Sequence, residues 1–297
     1  MRLPLLVIAA SLAAVPAAAR AQAPGPVLTV AADTSVRQLI RLRDGSTVLG
    51  RITQSWGDSA RVESMAGTLV LHAADVRSVK VVRAADIHDG VYWADDPNDT
   101  RLFFAPTGRM LKKGEGYLAN HWVLLMDGYA GLTDRFTLGA SMSLLPSDNF
   151  LKNNVYFISP KIGITQGEHF NSAVGAWFGG APFSDAAGSV NTFGIAYGVG
   201  TWGGPNASFT LGGGYGFAEG KAARNPMAML GATRRVSRRI ALVTENWIFP
   251  NVQDHPLISF GIRTIGESVS WDIGAVTVLG TGGGTVLVPW LGAAWKF

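Results

Sequence analysis

Histidine is the side chain best suited to acid-base chemistry near neutral pH, and this 297-residue sequence has five, at positions 72, 88, 121, 169 and 255. Nucleophilic hydrolysis would require a serine within hydrogen-bonding reach of one of them. None of the five has a serine two positions further on, where a strand would place it on the same face. HExxH, GxSxG and P-loop motifs are absent, and GTGGG at 280–284 opens no predicted helix. We therefore expect no enzymatic activity, no catalytic residue and no cofactor.

Groups that could bind a metal are also few. The sequence has no cysteine, which excludes disulfides and thiolate metal sites. Residues 95–99, Asp-Asp-Pro-Asn-Asp, bring four oxygen-bearing side chains together but lack the spacing and distal glutamate of a calcium loop. The pattern favours an Asx-turn linker, and calcium binding stays open as the alternative.

From about residue 101 onward, segments of about ten residues alternate apolar with small or polar side chains. These segments must position any functional side chains in this part of the chain. In 136–144, Phe136, Leu138 and Met142 share one face, and Thr137 and Ser141 lie on the other. The same alternation appears in 192–201, 207–217, 258–264 and 269–279. A soluble sandwich would carry Lys, Glu and Gln on its polar face, whereas here that face is mostly Gly and Ser. The pattern favours a transmembrane antiparallel β-barrel with the more apolar face turned toward lipid.

The connections predict the number of strands, because tight turns alternate with longer loops as in outer-membrane barrels. The predicted strands from residue 116 onward are 116–131, 135–145, 154–165, 169–180, 191–202, 207–217, 226–235, 239–248, 257–265, 268–279 and 285–297. Single-chain bacterial barrels normally have an even number of strands. Residues 102–110 therefore supply a twelfth strand, and ten strands is the alternative if 102–110 is only an approach segment.

The last eight residues, WLGAAWKF, place Phe297, Trp295 and Leu291 on one face of a strand and Gly292 and Trp290 on the other. This pattern resembles the C-terminal β-signal of bacterial outer-membrane proteins, which has an aromatic terminus, alternating hydrophobic residues and a glycine near the end. The resemblance implies that the protein lies in the bacterial outer membrane, in contact with its lipid. It also implies that the barrel-insertion machinery recognises Trp290, Gly292, Trp295 and Phe297.

With the less apolar face turned inward, a short set of ionisable residues is expected in the barrel lumen: Arg109, His121, Asp127, Lys161, Glu245, Arg263 and Asp272. Buried charges persist only when they are paired or hydrated. These residues could form an interior network that closes the barrel, or they could line a narrow hydrated pore. Twelve strands leave modest interior space, which favours the network.

The N-terminal third differs in character. Residues 1–21 have the layout of a secretory signal peptide, cleaved after Ala21 and followed by a linker at 22–35. Residues 36–83 form short alternating runs with turn signals at Asp44-Gly45 and Ala66-Gly67. The opening hairpin, DGS…G.I at 44–52, resembles that of Sm-like and SH3-like small barrels, which implies a five-strand β-barrel-like domain. An acidic linker at 84–100 would join it to the barrel at 101–297.

The predicted export of the protein determines which partners such a domain could meet. Small barrels of this kind often bind RNA in the cytosol, but the signal peptide argues against a nucleic acid partner. We expect a periplasmic accessory domain that contacts the barrel mouth, another protein or the cell wall. The leading hypothesis is an outer-membrane barrel that acts as a passive pore or a structural barrel. The alternative is a membrane-anchored binding or assembly module that acts through residues 36–83.

Overall fold

The structure is a computed structural model that describes residues 27–33, 35–146, 154–181, 191–250, 256–278 and 286–297. The predicted signal peptide, part of the linker at 22–35, His255 and the GTGGG segment lie outside these residues. The chain divides into two units between Tyr92 and Trp93. Within the described ranges, no helix is both long enough and apolar enough to cross a membrane.

The N-terminal unit contains the five strands expected between residues 36 and 83. They form an antiparallel sheet in the order β4-β3-β2-β1-β5. The strands are β1 Arg37–Leu42, β2 Thr47–Trp56, β3 Ser59–Ser64, β4 Gly67–His72 and β5 Val76–Val82. Alternate aliphatic side chains form the core, and Ile40, Ile52, Val62 and Val76 are fully buried in it. Burying alternate residues of each strand is what the period-2 sequence pattern predicts.

The hairpin between β1 and β2 turns at Asp44-Gly45, as predicted. Gly45 has a φ of +90°, a left-handed conformation that glycine adopts without steric cost. The Asp44 carboxylate accepts hydrogen bonds from the amide and hydroxyl of Ser46, at 2.8 and 2.7 Å. These hydrogen bonds hold the pKa of the Asp44 carboxyl below its ordinary value. Turn geometry therefore accounts for the DGS sequence.

The segment predicted as a linker at 84–100 is divided between the two units. A 3₁₀ turn, Ala84–Asp86, leads into a short ladder of β6 Ile87–His88 and β7 Val91–Tyr92. Residues 93–100 belong to the second unit. The barrel unit therefore begins about eight residues earlier than the sequence pattern indicated, at Trp93.

Twelve antiparallel strands of the second unit close into a barrel, which confirms the predicted fold and strand number. The barrel is closed because β13 pairs with β14 and β20 pairs with β8. Strand β15 is a two-residue extension beside β14. The strands are β8 Gly116–His121, β9 Leu125–Thr133, β10 Phe136–Ser143, β11 Tyr156–Gln166, β12 Phe170–Ala181, β13 Asn191–Gly204, β14 Ala207–Ala218, β15 Lys221–Ala222, β16 Met227–Ser237, β17 Ile240–Ile248, β18 Leu257–Ile265, β19 Val269–Val278 and β20 Leu287–Lys296.

The twelfth strand is not the one that was predicted. Residues 102–110 form no strand, and the predicted strand 116–131 is instead a hairpin of β8 and β9. Its turn lacks the Gly, Asn or Pro that usually marks a hairpin, so the sequence carries no local signal for it, although Trp122 and Val123 adopt the left-handed region, at φ +51° and +67°. The C-terminal strand β20 consequently pairs with β8 rather than with 102–110.

One strand faces the opposite way from the prediction. In β13 the larger residues Phe193, Ile195, Tyr197 and Val199 point into the barrel, where the last three pack against its interior core. Alternation has the same period whichever face is turned inward, so the pattern alone left this open. Phe249 also lies inside, with its ring stacked on Trp247 at 5.4 Å.

Candidate functional site

Residues 93–111, called here the lumenal segment, run through the interior of the barrel. Leu102, Phe103 and Ala105 are at most 1% exposed. They pack in one apolar cluster with wall residues that include Met229 and Trp290. The barrel therefore has a hydrophobic core made by its own N-terminal extension.

Arg263 is the charged residue that holds this segment most extensively, and it is completely buried. Its guanidinium donates to both carboxylate oxygens of Asp272, at 2.6 and 3.0 Å, and to Asp96 at 3.1 Å. It also donates to backbone carbonyls of the lumenal segment, those of Asn98, Arg101 and Leu102. A planar guanidinium with five N–H groups suits such a site, because every proton finds an acceptor.

Glu245 makes a second connection between the wall and the lumenal segment. One carboxylate oxygen accepts the backbone N–H groups of Phe104 and Ala105, at 2.8 and 2.9 Å. The other accepts the indole N–H of Trp247 at 2.7 Å. The carboxylate is 4% exposed, so these three hydrogen bonds replace the water that it has lost.

Polar wall residues satisfy other backbone groups of the segment. The Lys161 ammonium donates to the Arg109 carbonyl at 2.6 Å. The Thr201 hydroxyl accepts the Gly108 N–H at 2.8 Å, and the Gln166 amide donates to the Gly108 carbonyl at 2.8 Å. An irregular backbone inside a membrane barrel needs such partners, because it forms no ladder of hydrogen bonds with the strands. Much of the polar lumenal chemistry thus stabilises the protein's own backbone.

The remaining predicted lumenal residues, His121, Asp127 and Arg109, also lie inside the barrel, and the ring of His121 is 5.9 Å from that of Phe104 in the lumenal segment. His121 and Asp127 face each other across β8 and β9, with Nε2 of the imidazole 2.7 Å from a carboxylate oxygen, and both are buried. Arg109 is half-buried and lies in the lumenal segment, where it donates to the carbonyls of Gly203 and Gly204 at the β13–β14 turn.

Sequence reasoning missed the contribution of residues 96–101. The Asp96 carboxylate accepts the Asn98 N–H at 2.9 Å, which is the Asx-turn geometry that the sequence favoured, and it also binds Arg263. The Asn98 side chain in turn accepts from Arg101 at 2.9 Å. The turn chemistry was visible in the sequence, but its burial was not. Across the described residues, no group of three or more His, Cys, Asp or Glu side chains is placed to hold a metal ion.

Beside the lumenal segment lies an apolar cavity of about 370 Å³, called here the chamber. Aromatic rings form much of its lining: Phe104, Trp122, Trp177, Trp247, Phe249 and Trp290. Their ring centroids are close, with Phe104 to Trp177 at 4.9 Å and Trp177 to Trp247 at 6.1 Å. The volume falls within the range of small-molecule pockets, roughly 300–1,000 Å³. This chamber was not predicted from the sequence.

The four residues of the predicted insertion signal occupy two environments. Trp295 and Phe297 are 52% and 60% exposed, and their rings lie 5.5 Å apart. Trp290 points inward, where it is buried against Phe103 at 5.6 Å. Gly292 also faces inward, next to the imidazole of His121. The inward pair thus contributes to the core.

A serine and a histidine lie side by side in the N-terminal unit, although no histidine has a serine two positions further along the sequence. The Ser59 hydroxyl lies 2.9 Å from Nδ1 of His72 on the neighbouring strand. The same hydroxyl is also 2.9 Å from the Asp58 carboxylate. The carboxylate contacts the serine rather than the imidazole, so the order of a catalytic triad is not formed.

No protein-family model matches the chain, and no curated protein matches it. Among solved structures, it is similar to the NanC porin in a rhombohedral crystal form, with 10% identity over 61% of this chain and 97% of that one, at a TM-score of 0.38. It is also similar to OmpT, an outer membrane protein of Vibrio cholerae. The loop L8 deletion mutant gives 13% identity, 88% and 96% coverage and a TM-score of 0.35. Outer-membrane expressed OmpT gives 13% identity over 89% of this chain and 95% of that one, at a TM-score of 0.32. At these values the similarities assign no function to this chain.

Proposed function

We propose that the protein is an exported outer-membrane β-barrel, and that residues 290–297 engage the barrel-insertion machinery. The outward surface supports this proposal, because it carries many large apolar side chains that would otherwise face water. Ile158, Ile164, Leu211, Phe260 and Ile273 are each 48–55% exposed. Aromatic rows lie near both ends of the wall, with Phe170 beside Trp202 at one end and Phe178 beside Phe217 at the other. An apolar band between aromatic girdles matches a bilayer.

We propose further that the barrel does not conduct, which is the structural version of the leading hypothesis. The observation that carries this proposal is the lumenal segment, held by Arg263, Glu245 and Lys161. Between this segment and the wall at Tyr129 and Tyr197, a cavity of about 20 Å³ remains. That space holds about one water molecule, which is too little for a hydrated path. The proposal includes no catalytic step and no cofactor.

Planar bilayers test this directly. The purified full-length protein should insert and give no stepwise conductance, because the hydrogen bonds of the lumenal segment keep it in place. Insertion is checked separately by resistance to extraction of membranes with carbonate or urea. Regular conductance steps from protein that resists extraction would show that the barrel is a pore and would contradict the proposal.

A specific observation favours the alternative, a binding or assembly module. Strand β4 is an edge of the N-terminal sheet, and its Leu69 and Val70 are 38% and 53% exposed. An exposed apolar edge strand can pair with a strand of another chain. The proposed partner is a periplasmic protein that adds a strand beside β4.

Crosslinking in cells tests this alternative. A photoreactive residue at Val70 should give a discrete higher-mass adduct, whereas the same residue at the exposed turn position Asp44 should not. Deleting residues 27–92 should leave a barrel that resists extraction, because the barrel does not depend on the N-terminal sheet for insertion. The deletion stops at residue 92 because Asp96 and Asn98 belong to the lumenal network. Equal adducts from both positions, or none, would remove the support for this module.

A further inference from the structure

The barrel wall is lower at the β8–β9 hairpin than at the neighbouring strand. The last paired residue of β8 is His121, opposite Gly292 of β20, and the Trp122 N–H then donates to the Leu291 carbonyl at 2.9 Å. Strand β20 continues beyond this point as Leu287–Trp290. Within the described chain, those four residues have a strand partner on the β19 side but none on the β8 side. The wall therefore has a step of about 13 Å, at roughly 3.3 Å per residue.

At this step the edge of β20 has fewer unpaired backbone N–H and C=O groups than an ordinary strand edge. Pro289 has no N–H, and its carbonyl accepts the indole N–H of Trp122 at 2.6 Å. In an antiparallel strand, the N–H and C=O of one residue point to the same side. The missing donor of Pro289 is therefore on the side that lacks a strand. Such an edge can face hydrocarbon at lower cost than an ordinary strand edge.

Trp122 takes the place of the missing wall. Its ring packs edge-on against Trp290 at 4.4 Å, and it lines the chamber while 42% of its surface is exposed. Trp122 and Val123 both have positive φ, which costs roughly 1–3 kcal/mol for each such non-glycine residue. Among the described residues, the Trp122 side chain on this strained turn thus lies between the chamber and the outer surface.

The chemistry of the chamber limits what it could bind. Apart from Glu245, its described lining carries no ionisable side chain except the Tyr129 phenol. Both Glu245 oxygens already accept hydrogen bonds from Phe104, Ala105 and Trp247. A charged ligand group would find no unpaired opposite charge in this lining, and burying it would be costly. An uncharged hydrocarbon chain fits, and the apolar outer surface at Leu287 and Leu291 continues up to Trp122.

We propose that the chamber binds one acyl tail of a membrane lipid, which enters sideways past Trp122 while its headgroup stays outside. This inference rests on the proposed location in the membrane. The low wall gives the tail a route from the bilayer that does not require passage through water. The aromatic lining provides dispersion contacts along the chain. Trp122 closes the route when it packs on Trp290 and donates to Pro289.

Photolabelling of the full-length protein in nanodiscs tests the proposal. The probe is phosphatidylethanolamine with a diazirine near the end of one acyl chain, and labelled peptides are mapped by mass spectrometry. We expect labels on the inward residues Phe104 and Trp177 as well as on the outward residues Ile262 and Ile273. Ile195→Trp fills the chamber and should lower inward labelling about tenfold, the equivalent of ~1.4 kcal/mol of binding. The matched outward variant, Ile262→Trp, should retain it.

A second variant examines the route. Trp122→Ala opens the step and should raise the rate of inward labelling, whereas Trp202→Ala, on the outer surface, should not. Outward labels without inward labels overturn this inference alone. Loss of both overturns the location in the membrane and the inference with it. Inward labelling that Ile195→Trp leaves unchanged, or that occurs only with a free diazirine fatty acid, also overturns the binding of a lipid tail.

Discussion

Arg263→Met should destabilise the barrel by about 3–5 kcal/mol, the cost typical of removing one partner from a buried ion pair. Methionine fills a similar volume, but it leaves the carboxylates of Asp272 and Asp96 buried with fewer donors. It also leaves the carbonyls of three lumenal residues without a hydrogen bond from the wall. Urea unfolding in detergent micelles, followed by tryptophan fluorescence, measures the loss.

Two further variants serve as controls for this result. Arg239→Met, at the exposed β16–β17 turn, is the matched control and should change stability by less than about 0.5 kcal/mol. The double variant Arg263→Met with Asp272→Leu should recover part of the loss, because a buried carboxylate is removed together with its cation. If Arg263→Met and Arg239→Met have the same small effect, the Arg263 network does not stabilise the barrel.

Glu245→Gln should release the lumenal segment locally while leaving the barrel closed. The amide has the shape of the carboxylate, but one of its polar atoms becomes a donor. That atom then faces either the Trp247 N–H or the backbone N–H groups of Phe104 and Ala105. Losing charge-assisted hydrogen bonds worth about 1.5–3 kcal/mol should speed amide exchange in peptides that span 102–107 by roughly 10–100-fold.

Glu168→Gln provides the control for this exchange experiment. Glu168 lies in the exposed turn between β11 and β12, so its replacement should leave exchange at 102–107 unchanged. Peptides from β17 itself should exchange at the same rate in wild type and Glu245→Gln, since the wall keeps its ladder hydrogen bonds. Unchanged exchange at 102–107 in Glu245→Gln would mean that the carboxylate does not hold the lumenal segment.

Local patterns explain why much of the fold could be predicted. Alternation with a period of two residues defines strands whatever they pack against, and turn sequences such as Asp44-Gly45 set hairpins through backbone conformation alone. The parity of short and long connections then gave twelve strands. That number was correct although one of its strands was not, because 102–110 and the Trp122 turn produced compensating errors.

The interior depended on contacts between residues far apart in the sequence. Glu245 and Phe104 are 141 positions apart, and Arg263 and Asp96 are 167 apart. No local pattern marks such pairs, so the acidic run at 95–99 resembled a solvated linker. The orientation of β13 was undetermined for a related reason. A period of two residues does not tell which face is turned inward, and only packing in one cluster with the lumenal segment shows that Ile195, Tyr197 and Val199 lie inside.

By itself, then, the sequence determined most of the strands, most of their turns and the even number of strands in the barrel, because these follow from backbone geometry and side-chain alternation. Tertiary structure alone decided that residues 93–111 fill the lumen, that Arg263 and Glu245 hold them, and that Trp122 stands where the wall is low. In a closed barrel, the pairing and register of strands that are distant in the sequence set which residues are buried and which hydrogen-bond partners they find. That pairing exists only in the folded chain.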